Sequence, residues 1–158
     1  MTNYKKAAVF AKPQGEIGGY LRALLSLLTD AGIEPYLDRM AAGYFPEGAP
    51  FPVLSDAALG ETCDIALVIG GDGRMLGAAR ALWPHNLPII GINAGRLGFI
   101  TDVTVEDMAR QIPLMLAGHA VKDERRFLFG RIYRDSEEVF SSPAVNDITL
   151  THGHALGM

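Results

Sequence analysis

Cysteine is nearly missing from this chain: Cys63 stands alone among 158 residues. A single thiol excludes an internal disulfide and suits a reducing compartment. As a small apolar residue at the start of a hydrophobic run, Cys63 is expected to serve packing rather than chemistry. Positive charge is in deficit too. The 14 Lys and Arg against 18 Asp and Glu leave a formal net charge of −4, which gives no general attraction to nucleic acid or to an anionic membrane. Any phosphate must then be held locally, by backbone amides and a few arginines. Long apolar runs are lacking. Behind Met1-Thr2-Asn3-Tyr4-Lys5-Lys6 only Ala7 to Ala11 is apolar, too short for an export signal. The most apolar helical stretch, Tyr20 to Leu28, is interrupted by Arg22 and too short to cross a bilayer. No membrane segment and a cytoplasmic location are the expectation. Internal repeats and low-complexity tracts are absent as well. What remains is 49% apolar and 20% charged, a globular composition long enough for one domain with a sizeable core, or for one domain plus a fragment of another.

Glycine is plentiful, and two glycine-rich loops each follow a short apolar run. Ile65-Ala66-Leu67-Val68-Ile69 leads into Gly70-Gly71-Asp72-Gly73, and Pro88-Ile89-Ile90-Gly91-Ile92-Asn93 leads into Ala94-Gly95-Arg96-Leu97-Gly98-Phe99. Both runs are short, β-branched and apolar without alternation, as in strands of a parallel sheet buried on both faces. Between them, Met75, Leu76, Ala79, Leu82 and Trp83 recur at helical spacing. Strand, loop, helix, strand and loop make a βαβ unit, with a right-handed crossover expected. The two loops then emerge at the carboxyl edge of one sheet, where open α/β folds bind ligands. Asp72 sits among glycines that let backbone N–H groups approach a phosphate. The outline is that of a nucleotide or phosphoryl-transfer site.

Upstream, Lys6 to Ala11 reads as a first strand ending at Lys12-Pro13-Gln14-Gly15. Ile17, Tyr20, Leu21, Leu24, Leu25, Leu28 and Ala31 form a helical stripe with Gly32 as its stop. Ile33 to Asp38 reads as a second strand. Gly43 to Ser55, with three prolines and three aromatics, is not a regular element; it is either a surface connector packed by its own aromatics or a flap over a ligand. Thr104 is expected to cap a helix with Asp107 in its first turn, kinked or split at Ile112-Pro113 and ended by Gly118. Beyond about residue 120 the helical period disappears. His119 to Arg134, Glu138 to Phe140 and Ala144 to Thr151 read as extended segments joined by turns at Asp135-Ser136 and Ser141-Ser142-Pro143. The expectation is an α/β, Rossmann-like parallel-sheet domain over residues 1–120, followed over 121–158 by the first strands of an all-β domain that looks cut short.

The three ordered motifs Gly70-Gly71-Asp72-Gly73, Gly91 to Asp102 (Gly-Ile-Asn-Ala-Gly-Arg-Leu-Gly-Phe-Ile-Thr-Asp) and Asn146-Asp147 resemble those of the ATP-NAD kinase family, with most likeness to its bacterial members. Met75 to Arg80 resembles the proteobacterial ones. The first motif alone is also similar to loops of lipid kinases and phosphofructokinases; the second is far more selective. The resemblance implies transfer of the γ-phosphoryl of ATP, with a divalent metal (magnesium), to the 2′-hydroxyl of the adenosine ribose of NAD. It makes Asp72 the general base and the Gly70, Gly71, Asp72 and Gly73 loop the phosphate cradle. Asn93 belongs to the second motif's strand. Phe99 would lie against the adenine, an ordinary core aromatic being the alternative. Asn146 and Asp147 would bind the ribose and diphosphate region. No residue is assigned to a metal, and a homo-oligomer is implied.

This sequence departs from the family pattern at two of those positions. Arg74 stands where Thr or Asn is usual, and either pairs with a phosphate or crowds the loop. Asp147 replaces the usual Glu, keeping the charge with one methylene less reach. Three weaker signals take bland readings. His152-Gly153-His154 reads as an exposed turn rather than a metal site, Arg125-Arg126 as a solvated strand start, and His85 as a helix end. The rival functions are a lipid or sugar kinase with a shared loop, and an inactive NAD-binding fragment.

Overall fold

The computed structural model describes residues 4–13, 15–95, 98–101 and 103–150. The motif residues Arg96, Leu97 and Asp102, together with Gln14 and the His152-Gly153-His154 segment, lie outside these. The chain divides into two compact units, residues 1–122 and 123–158.

The first unit is a five-stranded, wholly parallel sheet in the order β2-β1-β3-β4-β5. Its strands are β1 (Lys6–Ala11), β2 (Glu34–Leu37), β3 (Ile65–Gly70), β4 (Ile89–Asn93) and β5 (Val103–Thr104). Helices cover both faces, which is why the central strands are apolar without alternation. Ala7, Val9, Ala11, Ile65, Leu67 and Ile69 face a core built with α1 (Gly18–Asp30) and, after β5, α5 (Met108–Leu116). Ala8, Phe10, Ala66 and Val68 face the opposite core, formed with α3 (Asp56–Thr62) and α4 (Asp72–Leu82). A one-turn α2 (Arg39–Ala42) follows β2. The order of this sheet reverses direction between β1 and β3, so the crevice of an open α/β fold falls between their carboxyl ends.

Helix α1 ends as its glycine requires: Gly32 has φ +74°, and the amides of Gly32 and Ile33 return to the carbonyls of Thr29 and Leu28. Gly118, with φ +94°, ends α5 by the same pair of bonds, to Met115 and Leu114. The start and middle of α5 differ from expectation. Thr104 lies in β5, and its hydroxyl accepts the Asp107 amide at 3.2 Å, a turn that precedes the helix; Asp107 is then the residue before its first turn. Pro113 does not split α5, which runs through it. It stands on the exposed side, while Met108, Ile112 and Leu116 hold the helix to the core.

Residues 43–55 form no helix. Leu37 and Val53 make one parallel bridge, and Tyr44, Phe45 and Phe51 pack against the α1 core. That arrangement is the connector packed by its own aromatics. Helix α3, unread in the sequence, is capped by Ser55, whose hydroxyl accepts the Ala58 amide at 3.3 Å. Its Gly60 leaves room for His85, in the 3₁₀ turn Trp83–His85 after α4: a Cβ there would lie 2.2 Å from the imidazole.

The second unit contains an antiparallel hairpin of β6 (Leu128–Arg134) and β7 (Glu137–Ala144). Asp135 and Ser136 both have positive φ, 51° and 69°, as a two-residue hairpin loop needs. The second expected turn is absent, because β7 runs straight through Ser141-Ser142-Pro143. A two-stranded sheet has only edge strands, where a proline is tolerated.

Cys63 is buried at the end of α3, and burial pushes its thiol up to about 12. Only the thiolate is nucleophilic, so iodoacetamide at pH 8 is expected to label native Cys63 at least about tenfold more slowly than the urea-unfolded chain. Equal rates would contradict this packing.

Candidate functional site

Four successive strand ends deliver the site. At the end of β3, Gly70 and Gly71 lead directly into α4, whose first turn contains Asp72 and Gly73. The sequence reading put Asp72 in a loop; the structure places it inside the helix, with Gly71 as the residue before it. A carboxylate there is favoured by the amide end of the helix. Gly71 and Gly73 face open space, since a Cβ at either would meet nothing within 4 Å. Gly70 is tighter, its virtual Cβ falling 3.0 Å from the Arg74 Cβ.

The Asp72 carboxylate reaches across to the segment after β4. It accepts the Phe99 amide at 2.7 Å on one oxygen; the other takes the Ile100 amide at 3.3 Å and the Thr101 hydroxyl at 3.4 Å. Gly98 makes this approach possible, because a Cβ there would stand 2.1 Å from Asp72 Oδ1. The two glycine-rich segments are further joined by the Ala94 amide, which donates to Gly70 O at 2.8 Å, while Lys12 Nζ, from the end of β1, donates to Ala94 O at 3.2 Å. A carboxylate offers about four lone-pair positions. Three are taken, which leaves Asp72 held in place with capacity for one further donor.

Asn93 is buried at the end of β4, and its side-chain oxygen accepts the Gly95 amide at 2.9 Å. It helps line a cleft of about 400 Å³ with Tyr20, Ala94, Gly95, Thr104, Val105 and Glu106. Phe99 is not a core aromatic. Its side chain is 97% exposed while its amide is tied to Asp72. A second cleft, between α1 and the 45–51 segment, contains none of the motif residues.

Arg74 turns away from the open face. Its Nε donates to Ala11 O at 2.8 Å, Nη2 pairs with the buried Asp38, and the guanidinium lies over the Phe10 ring at 5.2 Å. Asn146 and Asp147 are exposed in the second unit, where the Thr149 hydroxyl donates to Asp147 at 3.4 Å. The first unit thus gathers Gly70, Gly71, Asp72, Gly73, Arg74, Asn93 and Phe99 along one edge; the Asn-Asp pair belongs to the other unit. Sequence reasoning missed Gly98, Thr101 and Asp38. Gly98 and Thr101 lie inside the second motif, but their value rests on a contact with residue 72 that spacing does not reveal.

Residues 53–120 match the family model for the ATP-NAD kinase N-terminal domain. The chain is 43% identical over 138 residues to an NAD kinase of Nitrosomonas europaea, covering 87% of this chain and 46% of that protein. It is 39% identical over 158 residues to one from Nitrosomonas eutropha, covering 99% and 53%. An NAD kinase of Burkholderia cenocepacia is 46% identical over 110 residues, covering 70% and 37%. The chain therefore spans about half the length, or less, of the curated relatives it matches. Among solved structures, yeast NADH kinase complexed with NADH aligns with a TM-score of 0.73 over 89% of this chain and 46% of that one. At 14% identity this likeness speaks for the fold alone.

Because Gly98 has no room for a Cβ beside Asp72, Gly98→Ala is expected to dislodge the carboxylate. The amides of Phe99 and Ile100 should then exchange with solvent about tenfold faster in nuclear magnetic resonance measurements. Unchanged exchange would contradict the bridge.

Proposed function

From the premise that residues 53–120 are an ATP-NAD kinase N-terminal domain, we propose that this chain takes part in phosphorylating the 2′-hydroxyl of the adenosine ribose of NAD, with ATP as donor, to give NADP. The observation that carries the reading is the Asp72 carboxylate, fixed at the carboxyl edge of the sheet by three donors from the neighbouring loop.

A ribose hydroxyl is a poor nucleophile, and phosphoryl transfer depends chiefly on positioning and on charge stabilisation. Asp72 accepts the proton of the 2′-hydroxyl as its oxygen bonds to the γ-phosphorus of ATP. The bond to the β–γ bridging oxygen breaks, and ADP leaves. The open space before Gly71 and Gly73 admits the dinucleotide's phosphates close to the backbone. Asn93 shapes the floor of the adjoining cleft, and the exposed Phe99 ring is available to cover the adenine. Asn146 and Asp147 contact the ribose and diphosphate region.

Among the described residues, no three His, Cys, Asp or Glu converge as a metal cage. Magnesium enters this reading as a companion of the ATP phosphates, part of that substrate. In the same reading, the unit at 1–122 is the nucleotide-binding α/β domain, and the hairpin is the beginning of a β domain. The protein works as a cytoplasmic homo-oligomer without nucleic-acid or membrane partners.

The test is NADP formation from NAD and Mg-ATP by the purified chain, with Asp72→Asn beside it. The reading predicts turnover that falls by at least about 100-fold in the variant, the lower range for removing a general base. Saturable NAD binding without turnover would confine this chain to recognition. Absence of both would contradict the reading.

A further inference from the structure

Resting on the reading of Asp72 as the base, we propose that Arg74 is a positioning residue and not a phosphate ligand. With Asp38 it clamps the first turn of α4, and with it Asp72, against the carboxyl ends of β1 and β2.

The guanidinium is held on the side of β1 and Asp38 by two of its nitrogens. Nε donates to the last carbonyl of β1, Ala11 O, at 2.8 Å; Nη2 pairs with Asp38, the residue after β2 that caps α2; and the Phe10 ring lies 5.2 Å away. Only 14% of the Arg74 side chain and 4% of the Asp38 side chain are exposed. Asp38 in turn takes the amides of Ala11, Met40 and Ala41 at 3.3, 3.2 and 2.9 Å, so that it fastens β1 to α2 before Arg74 arrives. One arginine therefore links three neighbouring parts of the edge: the start of α4, the end of β1 and the cap of α2. It is two residues from Asp72 and on the same helical turn.

A phosphate that drew the guanidinium out to the open face would have to take it from Asp38. That would strand a buried carboxylate without its cation, a costly exchange. The residue type also matters. The guanidinium fork serves Ala11 O and Asp38 together, whereas a lysine ammonium, as a point donor, matches this pair less well.

The test compares the wild-type chain with Arg74→Asn, Arg74→Lys, Asp38→Asn and the double Asp38→Asn, Arg74→Asn variant, in steady-state NADP formation and in amide exchange. Positioning predicts that Arg74→Asn and Asp38→Asn each lower kcat at least about tenfold with KM for NAD and ATP within about twofold. The double variant should fall no further than the worse single, because the two residues act as a unit. Arg74→Lys should recover part of kcat. If Arg74→Asn instead raises either KM severalfold at near wild-type kcat while Asp38→Asn does not, the proposal is overturned and Arg74 is a ligand.

Should the wild-type chain form no NADP, it is confined to recognition if it binds NAD, and the proposed function fails if it does not; in either case this inference is decided by exchange at the Phe99 and Ile100 amides that donate to Asp72. Faster exchange in both Arg74→Asn and Asp38→Asn upholds the clamp, and unchanged exchange in both overturns it. If Arg74→Asn does not fold, as a thermal melt would show, the same comparison is made with Arg74→Lys and Asp38→Asn.

Discussion

The Asp72 carboxylate bridges the ends of two adjacent parallel strands, and the arrangement of the site depends on that bridge. Strands β3 and β4 are held in register by their ladder only as far as Gly70 and Asn93. Beyond that point the two segments are joined by the Ala94 amide on Gly70 O and by Asp72 receiving Phe99, Ile100 and Thr101. Without a side chain at position 98 the carboxylate can lie against the loop backbone. With that contact made, Phe99 is almost completely exposed. An aromatic ring turned into water beside an anchored carboxylate suits a site that meets a flat, partly apolar ligand.

Behind the bridge lies a second polar arrangement with a different task. Asp38 is buried, and it gathers three backbone amides and one guanidinium. A buried carboxylate is tolerable only when its lone pairs are filled, and breaking such a set costs more than never having built it. The edge of the sheet therefore carries two anchored acids. Among the described residues, Asp72 receives three donors and Asp38 four. That contrast separates a group able to accept a new donor from one committed to holding the frame.

Much of this was legible before any coordinates, for identifiable reasons. The non-alternating apolar runs at 65–69 and 88–93 announced strands buried on both faces, and the two cores bear that out. Gly32 and Gly118 marked helix ends because only glycine takes their backbone angles without strain. Asp135-Ser136 marked the hairpin. The errors came where tertiary packing outvoted a local signal. Pro113 broke nothing because the apolar face of α5 is held by the core, and Pro143 ended no strand because it lies on an edge. Helices α2 and α3 are too short to show a period. Arg74 was legible as an anomaly in a glycine-rich loop, but its partner is 36 residues away in sequence, at Asp38. Gly98 and Thr101 were visible in the motif, yet their roles come from 26- and 29-residue separations to Asp72 that no local pattern encodes.

The most direct test is a structure of this chain with NAD bound. The account predicts the 2′-oxygen of the adenosine ribose within hydrogen-bond reach of the Asp72 carboxylate, about 2.6–3.2 Å, with the Phe99 ring against the adenine. A dinucleotide bound elsewhere on the first unit, with Asp72 still facing only Phe99, Ile100 and Thr101, would contradict it.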